Sequence, residues 1–298
     1  MQYLELKQQL YQTAITGILF SLNIPDVKAT RWGIERLVGR WLSGVLDMAL
    51  EFDRQIEDVS LTSACAWISE KCGLPVRVHG AENIPPDGPV LLVSNHPGYF
   101  EGMAITAQLP RQDLKVLVGG IPYFSHLPNM KQHIMYTDRS TDRNIVALRK
   151  TIQHLRSDGI VLIFPTGHAD PDPDYMEGAH RRFEDWSESI ALIMRRVPET
   201  RLVPVIVSGI IQPEFINHPL ARRQPELVPR MRVAGFFQIY SQFRSENRPP
   251  LSHPRVTFGE PIEGETLAKQ SGKKNQMSLI IKKGQALLAK HMALRNQP

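Results

Sequence analysis

Cysteine is almost absent: the chain of 298 residues has two, Cys65 and Cys72. They stand seven apart in a helix-like stretch, about two turns along one face. That separation is too long for a disulfide, and two thiols cannot close a tetrahedral zinc site alone. Buried thiols in a reducing cytoplasm are the expectation. Long apolar runs are missing too. None approaches the roughly 18 residues that a spanning helix needs. The stretch from Ala14 to Leu22 is broken by Thr16, Gly17 and Ser21. It has neither a basic segment before it nor a small-residue cleavage site, so no signal peptide is expected. A phosphate-binding loop and a dinucleotide fingerprint are also lacking, so no nucleotide cofactor is expected.

A uniform charge of one sign is absent as well. Lys and Arg number 35 against 30 Asp and Glu, a net charge of +5. Residues 1–75 carry 7 basic and 9 acidic side chains, residues 76–265 carry 21 of each, and residues 266–298 carry 7 basic and none acidic. The last segment supplies more than the whole surplus, which excludes a basic coat for nucleic acid. With 42% apolar and 22% charged residues, the chain is ordinary globular material.

Residues 1–74 read as a helical region. Apolar residues recur at helical spacing through Leu37, Trp41, Leu42, Val45, Leu46 and Leu50, then Leu61, Trp67 and Ile68. Gly73 and Pro75 close it. From Pro75 the texture changes. Pro75–His79 alternates like a strand, and Pro89–Val93, Leu114–Val118, Ile134–Thr137, Gly159–Phe164, Leu202–Val207 and Val256–Phe258 read as short apolar strands. Helical patterns over 142–157 and 184–196 alternate with them. The expectation is an α/β domain over 75–265, with a mixed, largely parallel sheet flanked by helices. Residues 212–252, rich in Pro and Arg, read as an excursion from the sheet. Residues 266–298 read as a C-terminal basic amphipathic helix.

Four segments carry chemistry. In Asn95-His96-Pro-Gly-Tyr-Phe-Glu101 a histidine leaves a buried strand and a carboxylate follows five residues later. A turn into a helix after Gly98 lets Glu101 swing back to the imidazole. It fixes the tautomer and raises the basicity of the other ring nitrogen. Such a pair activates an external hydroxyl. Arg139 follows a strand end, where its planar fork suits a phosphate or carboxylate. Phe164-Pro165-Thr166-Gly167 ends a strand in a turn that exposes backbone amides. Pro204 sits in the apolar strand Val203–Val207, at what the pattern makes its first position.

Together and in this order, the four resemble the glycerolipid acyltransferase superfamily, which includes lysophosphatidic acid and glycerol-3-phosphate acyltransferases. The family pattern is Asn-His-x4-Asp, a strand-end Arg, Phe-Pro-Glu-Gly and a Pro-led strand. Val256-Thr-Phe-Gly-Glu-Pro-Ile262 is similar to the family's closing strand. The resemblance implies that His96 is the general base and Glu101 its orienting carboxylate. It implies substrate contacts at Asn95, Arg139, Phe164, Pro165, Thr166, Gly167 and Pro204, with backbone amides near Gly167 steadying an oxyanion. Acyl-CoA or acyl-carrier protein would be the co-substrate, with no bound cofactor. A glycerophosphate or lysophospholipid hydroxyl would be the acceptor. No covalent acyl-enzyme is needed, and the sequence has no Gly-x-Ser-x-Gly elbow.

The chain departs from the pattern twice. Glu101 stands for Asp, and Thr166 for Glu, with His168-Ala-Asp170 in place of Thr-Arg-Ser. Plastid-type glycerol-3-phosphate enzymes also lack that Glu and carry Pro-Ser-Gly with a Pro-Asp-Pro nearby, similar to Pro165-Thr-Gly167 and Pro171-Asp-Pro173. The arginines of that pattern are missing, leaving acceptor phosphate to Arg139, or to Arg181 and Arg182. These departures keep two alternatives open: a different acceptor (amino-lipid, sugar or other alcohol), or a non-catalytic lipid-binding member of the fold. Asp170-Pro-Asp-Pro-Asp174 fails as a calcium loop, with Tyr175 and Arg181 where Gly and Glu belong, and reads as a solvated acidic loop. His126, His133, His154, His168 and His180 lack metal spacing, and no metal is expected. The basic helix at 277–294 offers a contact to anionic membrane, giving a cytoplasmic enzyme peripheral to the membrane.

Overall fold

A computed structural model describes residues 2–119, 123–137, 141–243 and 252–296. Residues 2–71 form three helices, Gln2–Ser21, Lys28–Asp58 and Leu61–Lys71. In the second, the buried stripe runs Val38, Leu42, Leu46 and Leu50, an i, i+4 ladder on one face. Leu37, expected within that pattern, is 76% exposed. The third helix opens at Ser60, whose hydroxyl accepts from Ser63 N at 3.1 Å. It ends before Gly73, whose φ of +59° terminates the turn. Cys65 and Cys72 are free and buried. Burial raises both thiols, Cys72 to about 12.

Among the described residues eight strands follow: β1 (Arg77–His79), β2 (Val90–Ser94), β3 (Leu114–Val118), β4 (Ile134–Tyr136), β5 (Ile160–Ile163), β6 (Arg201–Ser208), β7 (Arg255–Phe258) and β8 (Ile262–Glu263). Their order in one sheet is β1-β7-β6-β2-β5-β3-β4, with β8 also paired to β6. The pairs β2–β5, β2–β6, β3–β5 and β3–β4 are parallel, while β7 and β8 run antiparallel to β6. The sheet is mixed and mostly parallel.

Its central strands are apolar on both faces because both are covered. One face turns Val90, Leu92, Ile160, Leu162, Val203 and Val205 toward the N-terminal helices. The other turns Leu91, Val93, Val161, Ile163, Leu202 and Ile206 toward the helices Ser189–Arg196 and Gly272–Ala293. Each fully buried aliphatic side chain contributes about 1.5–3 kcal/mol. The expected excursion beyond β6 is helical: Pro213–Ile216, Pro219–Arg222 and Leu227–Gln242.

Two expectations are corrected here. Pro204 lies inside β6, level with Val93 of β2. Its carbonyl accepts from Gly259 N at 2.8 Å. The nitrogen of a strand residue faces the same side as its carbonyl, so the missing N–H faces Gly259, between the β8 and β7 pairings, and β7 pairing ends there. The proline ring faces Gly259 in mid-sheet, level with Val93, three residues before His96. The C-terminal helix Gly272–Ala293 is a packing element. It buries Met277, Ile280, Leu287, Leu288 and His291. Gly284 lies so close to Phe183 that a Cβ would meet its ring at 2.6 Å. Its apolar face is taken by the domain and cannot enter a bilayer. What stays exposed is a basic rim, including Lys274, Lys282, Lys283 and Lys290.

Candidate functional site

β2 and β5 end side by side, because Val93 pairs with Ile163 in parallel register. This brings Asn95-His96 next to Phe164–Thr166, at the carboxyl ends of central strands, where open α/β sheets bind ligands. After His96 the chain turns tightly past Ile210 and enters the helix Glu101–Thr106. Gly98 permits the turn, since a Cβ there would meet Ile210 Cγ2 at 2.2 Å. Ala104 and Ile105 of this helix are buried among residues of the N-terminal helices. The helical region thereby braces the residue that opens the short helix.

That residue is Glu101. Its Oε1 is hydrogen-bonded to His96 Nδ1. The extra methylene of Glu is absorbed by its place in the helix's first turn. The side chain of Glu101 is 2% exposed and that of His96 34%, a buried carboxylate behind a ring that reaches solvent. Phe164 stacks on the imidazole, 4.7 Å between centroids at 26°. Burial pushes the His96 pKa down. The charge and hydrogen bond of Glu101, joined by the charge of Asp170, more than reverse this and hold it above the usual histidine value. With Nδ1 held, Nε2 is the nitrogen left for chemistry.

The other expected residues divide. Thr166 and Phe164 stand at the site. Pro165 is buried, and its carbonyl accepts from Ser187 N at 3.1 Å. Gly167 takes a φ of +66°, and its N–H donates to Phe164 O at 3.0 Å. That amide is committed to its own turn, so it does not serve an oxyanion. Asn95 is buried, and its amide closes on Val207 of β6: Nδ2 donates to Val207 O and Oδ1 accepts from Val207 N, both at 2.8 Å. It joins the end of β2 to β6, so both of its polar side-chain atoms are engaged within the protein. Arg139 lies outside the described residues. Arg182 donates to Asp170 Oδ1 at 3.1 Å and also pairs with Asp185, so it is not a free phosphate ligand. Arg181 and His168 are exposed.

The segment Asp170–Asp174 is not solvated. Asp170 is 1% and Asp172 0% exposed. Asp170 Oδ2 accepts from His96 N at 2.9 Å, and Asp170 N donates to His96 O at 2.8 Å. Asp172 accepts from Gly209 N and Ile210 N at 3.1 and 2.9 Å. Asp174 accepts from Arg255 at 2.6 Å and from Ser208 at 2.7 Å. Protein donors occupy these carboxylates. Burial raises Asp172 to about 6, against the pull of its backbone donors. His291 belongs to the same network. Nε2 meets Ser208 Oγ and Nδ1 meets Thr257 Oγ1, both at 2.7 Å. Burial and nearby Arg255 lower it to about 3. The alternation of Asp and Pro was visible in the sequence; that its carboxylates point inward was not. Three other histidines are structural: His126 bonds Thr13, His133 bonds Leu114 O and His154 bonds Asp113 O.

The fold and site define an α/β protein with a histidine–carboxylate pair at the carboxyl edge of its sheet. Residues 75–208 match the acyltransferase family model. It is also similar to the crystal structure of the 1-acyl-sn-glycerophosphate (LPA) acyltransferase PlsC from Thermotoga maritima. The identity is 14% and the TM-score 0.48, over 99% of this chain and 97% of that one. No curated protein matches the chain. Among the described residues no helix is long and apolar enough to cross a membrane.

Proposed function

We propose that the protein transfers a fatty acyl group from a thioester, acyl-CoA or acyl-carrier protein, to the hydroxyl of a glycerophosphate or lysophospholipid. The contact of Glu101 with His96 Nδ1 carries this reading. The acceptor hydroxyl gives its proton to Nε2 as its oxygen attacks the thioester carbonyl. The tetrahedral intermediate collapses, the C–S bond breaks, and the thiolate recovers the proton from the imidazolium. One ester and one thiol result, with no covalent enzyme intermediate and no bound cofactor. Buried Glu101 stabilises the imidazolium that forms in between. The same contact argues against a non-catalytic lipid-binding role.

One observation favours a second acceptor class. Arg182 is spent on Asp170 and Asp185, and Thr166 faces Asp170 at 3.2 Å. Phosphate recognition therefore rests on Arg139 or on exposed Arg181, and a neutral alcohol, sugar or amino-lipid acceptor stays in play. Labelled acyl-CoA offered with glycerol-3-phosphate, lysophosphatidic acid and phosphate-free alcohols separates the two. Faster acylation of the phosphate-bearing acceptors supports the first reading; faster acylation of the others replaces it.

A cytoplasmic enzyme peripheral to the membrane fits a lipid product. Tyr3, Leu4, Phe20, Val27, Trp32 and Leu37 are exposed on the first two helices and their connection, and apolar side chains of this kind anchor in interfaces. The basic rim of the C-terminal helix adds attraction to anionic lipid.

A further inference from the structure

We infer that Asp170 is a positioning residue for His96, gripping its backbone where Glu101 grips its ring. This rests on the reading of His96 as the general base. The Asp-Pro-Asp-Pro-Asp repeat is suited to the task. Each proline fixes φ and removes a competing N–H, so the three carboxylates leave a stiffened segment toward separate targets. Asp170 takes His96 N at the end of β2, Asp172 takes Gly209 N and Ile210 N at the end of β6, and Asp174 takes Arg255 of β7. Ile210 in turn packs against Gly98, inside the turn between His96 and Glu101. The segment therefore holds the base and the turn that aims it.

A buried carboxylate is costly unless its oxygens are satisfied, and those of Asp170 are. Oδ2 accepts from His96 N at 2.9 Å and lies 3.2 Å from Thr166 Oγ1, while Oδ1 accepts from Arg182 Nε at 3.1 Å. The single Thr166 hydroxyl proton is shared between His168 O at 2.9 Å and Asp170 Oδ2, at the position where the resembled pattern has Glu. The groups around His96 are Glu101 from the following helix, Phe164 from the end of β5, and Asp170 backed by Arg182. Asp170 adds negative charge beside the ring that becomes an imidazolium, and Arg182 favours its charged form against burial.

The charge of Asp170 gives a test that a merely structural role would not pass. The probe is an NMR pH titration of the histidine ring resonances in full-length protein, with His96 assigned by its loss in His96→Ala. Asp170→Asn removes the nearby negative charge and lowers the His96 pKa by about half to one unit; Asp170→Glu keeps the charge and displaces only the grip on His96 N. Acyl-transfer kcat falls about tenfold in both variants, with KM for the thioester changed less than about twofold. An unchanged His96 titration in folded Asp170→Asn overturns the proposal. If Asp170→Asn does not fold, Asp170→Glu decides alone: a wild-type kcat overturns the proposal. The titration needs no turnover. A wild-type protein that transfers no acyl group refutes the function while the titration still judges Asp170.

Discussion

Glu101 meets the His96 imidazole through Oε1, while its Oε2 is buried with no hydrogen-bond partner among the described residues. The carboxylate is thus committed to one task, and its negative charge is undiluted by other donors. Replacing it with Gln keeps the volume and removes the charge. Glu101→Gln is expected to lower kcat about 10²- to 10³-fold. A general base must be neutral, so the rate falls as pH drops through the His96 pKa. Glu101 holds that pKa above the ordinary value. The acid limb of the wild-type pH–rate profile therefore lies above that of a free histidine and moves to lower pH in the variant. An acid limb at the same pH in both contradicts the assignment.

Asn95 is predicted to be a stability residue. Asn95→Ala leaves the buried N–H and C=O of Val207 unpaired. The expected cost is about 3 kcal/mol, read from denaturant unfolding. A loss of activity with stability unchanged would restore Asn95 as a substrate contact.

The C-terminal helix separates two effects. Lys282→Gln with Lys283→Gln and Lys290→Gln changes exposed side chains. It should leave the melting curve in place and weaken binding to anionic vesicles at low salt. Leu287→Ser instead opens the covered face of the sheet and should destabilise by about 2–4 kcal/mol. Vesicle binding that survives the triple substitution would assign membrane contact elsewhere, first to Trp32 and Leu37.

His291 predicts a pH dependence of stability. Its pKa is about 3 in the fold against about 6.5 when unfolded. Between those values the unfolded chain binds a proton that the folded chain refuses. Stability is present above about pH 6.5 and is lost as pH falls toward 3, with a slope of up to about 1.4 kcal/mol per unit. Asp172 works the other way. Its raised value of about 6 means the folded state takes up its proton first, which softens the loss between about pH 6 and 4. His291→Gln should flatten the acid slope in urea unfolding followed across pH; an unaltered slope would contradict this.

The sheet was legible because its strands are short, uniformly apolar runs, and covering on both faces is what such runs require. The His96–Glu101 pair was legible because a strand, a Gly turn and a helix start leave little freedom over five residues. Other features depend on distant partners. Pro204 read as a strand start, since nothing local reveals that Gly259 approaches its carbonyl. Asp170 and Asp172 read as solvated, since their donors, His96 N and Gly209 N, lie 74 and 37 residues away. The basic tail showed its charge, while the burial of His291 depends on Ser208 and Thr257, more than 30 residues upstream.

The central claim is that His96 deprotonates the acceptor. Initial rates of ester formation from a labelled long-chain acyl thioester, with wild-type protein and folded His96→Ala, test it most directly. The account predicts a loss of about 10²- to 10⁴-fold in the variant. Ester formation by His96→Ala at near the wild-type rate would contradict it.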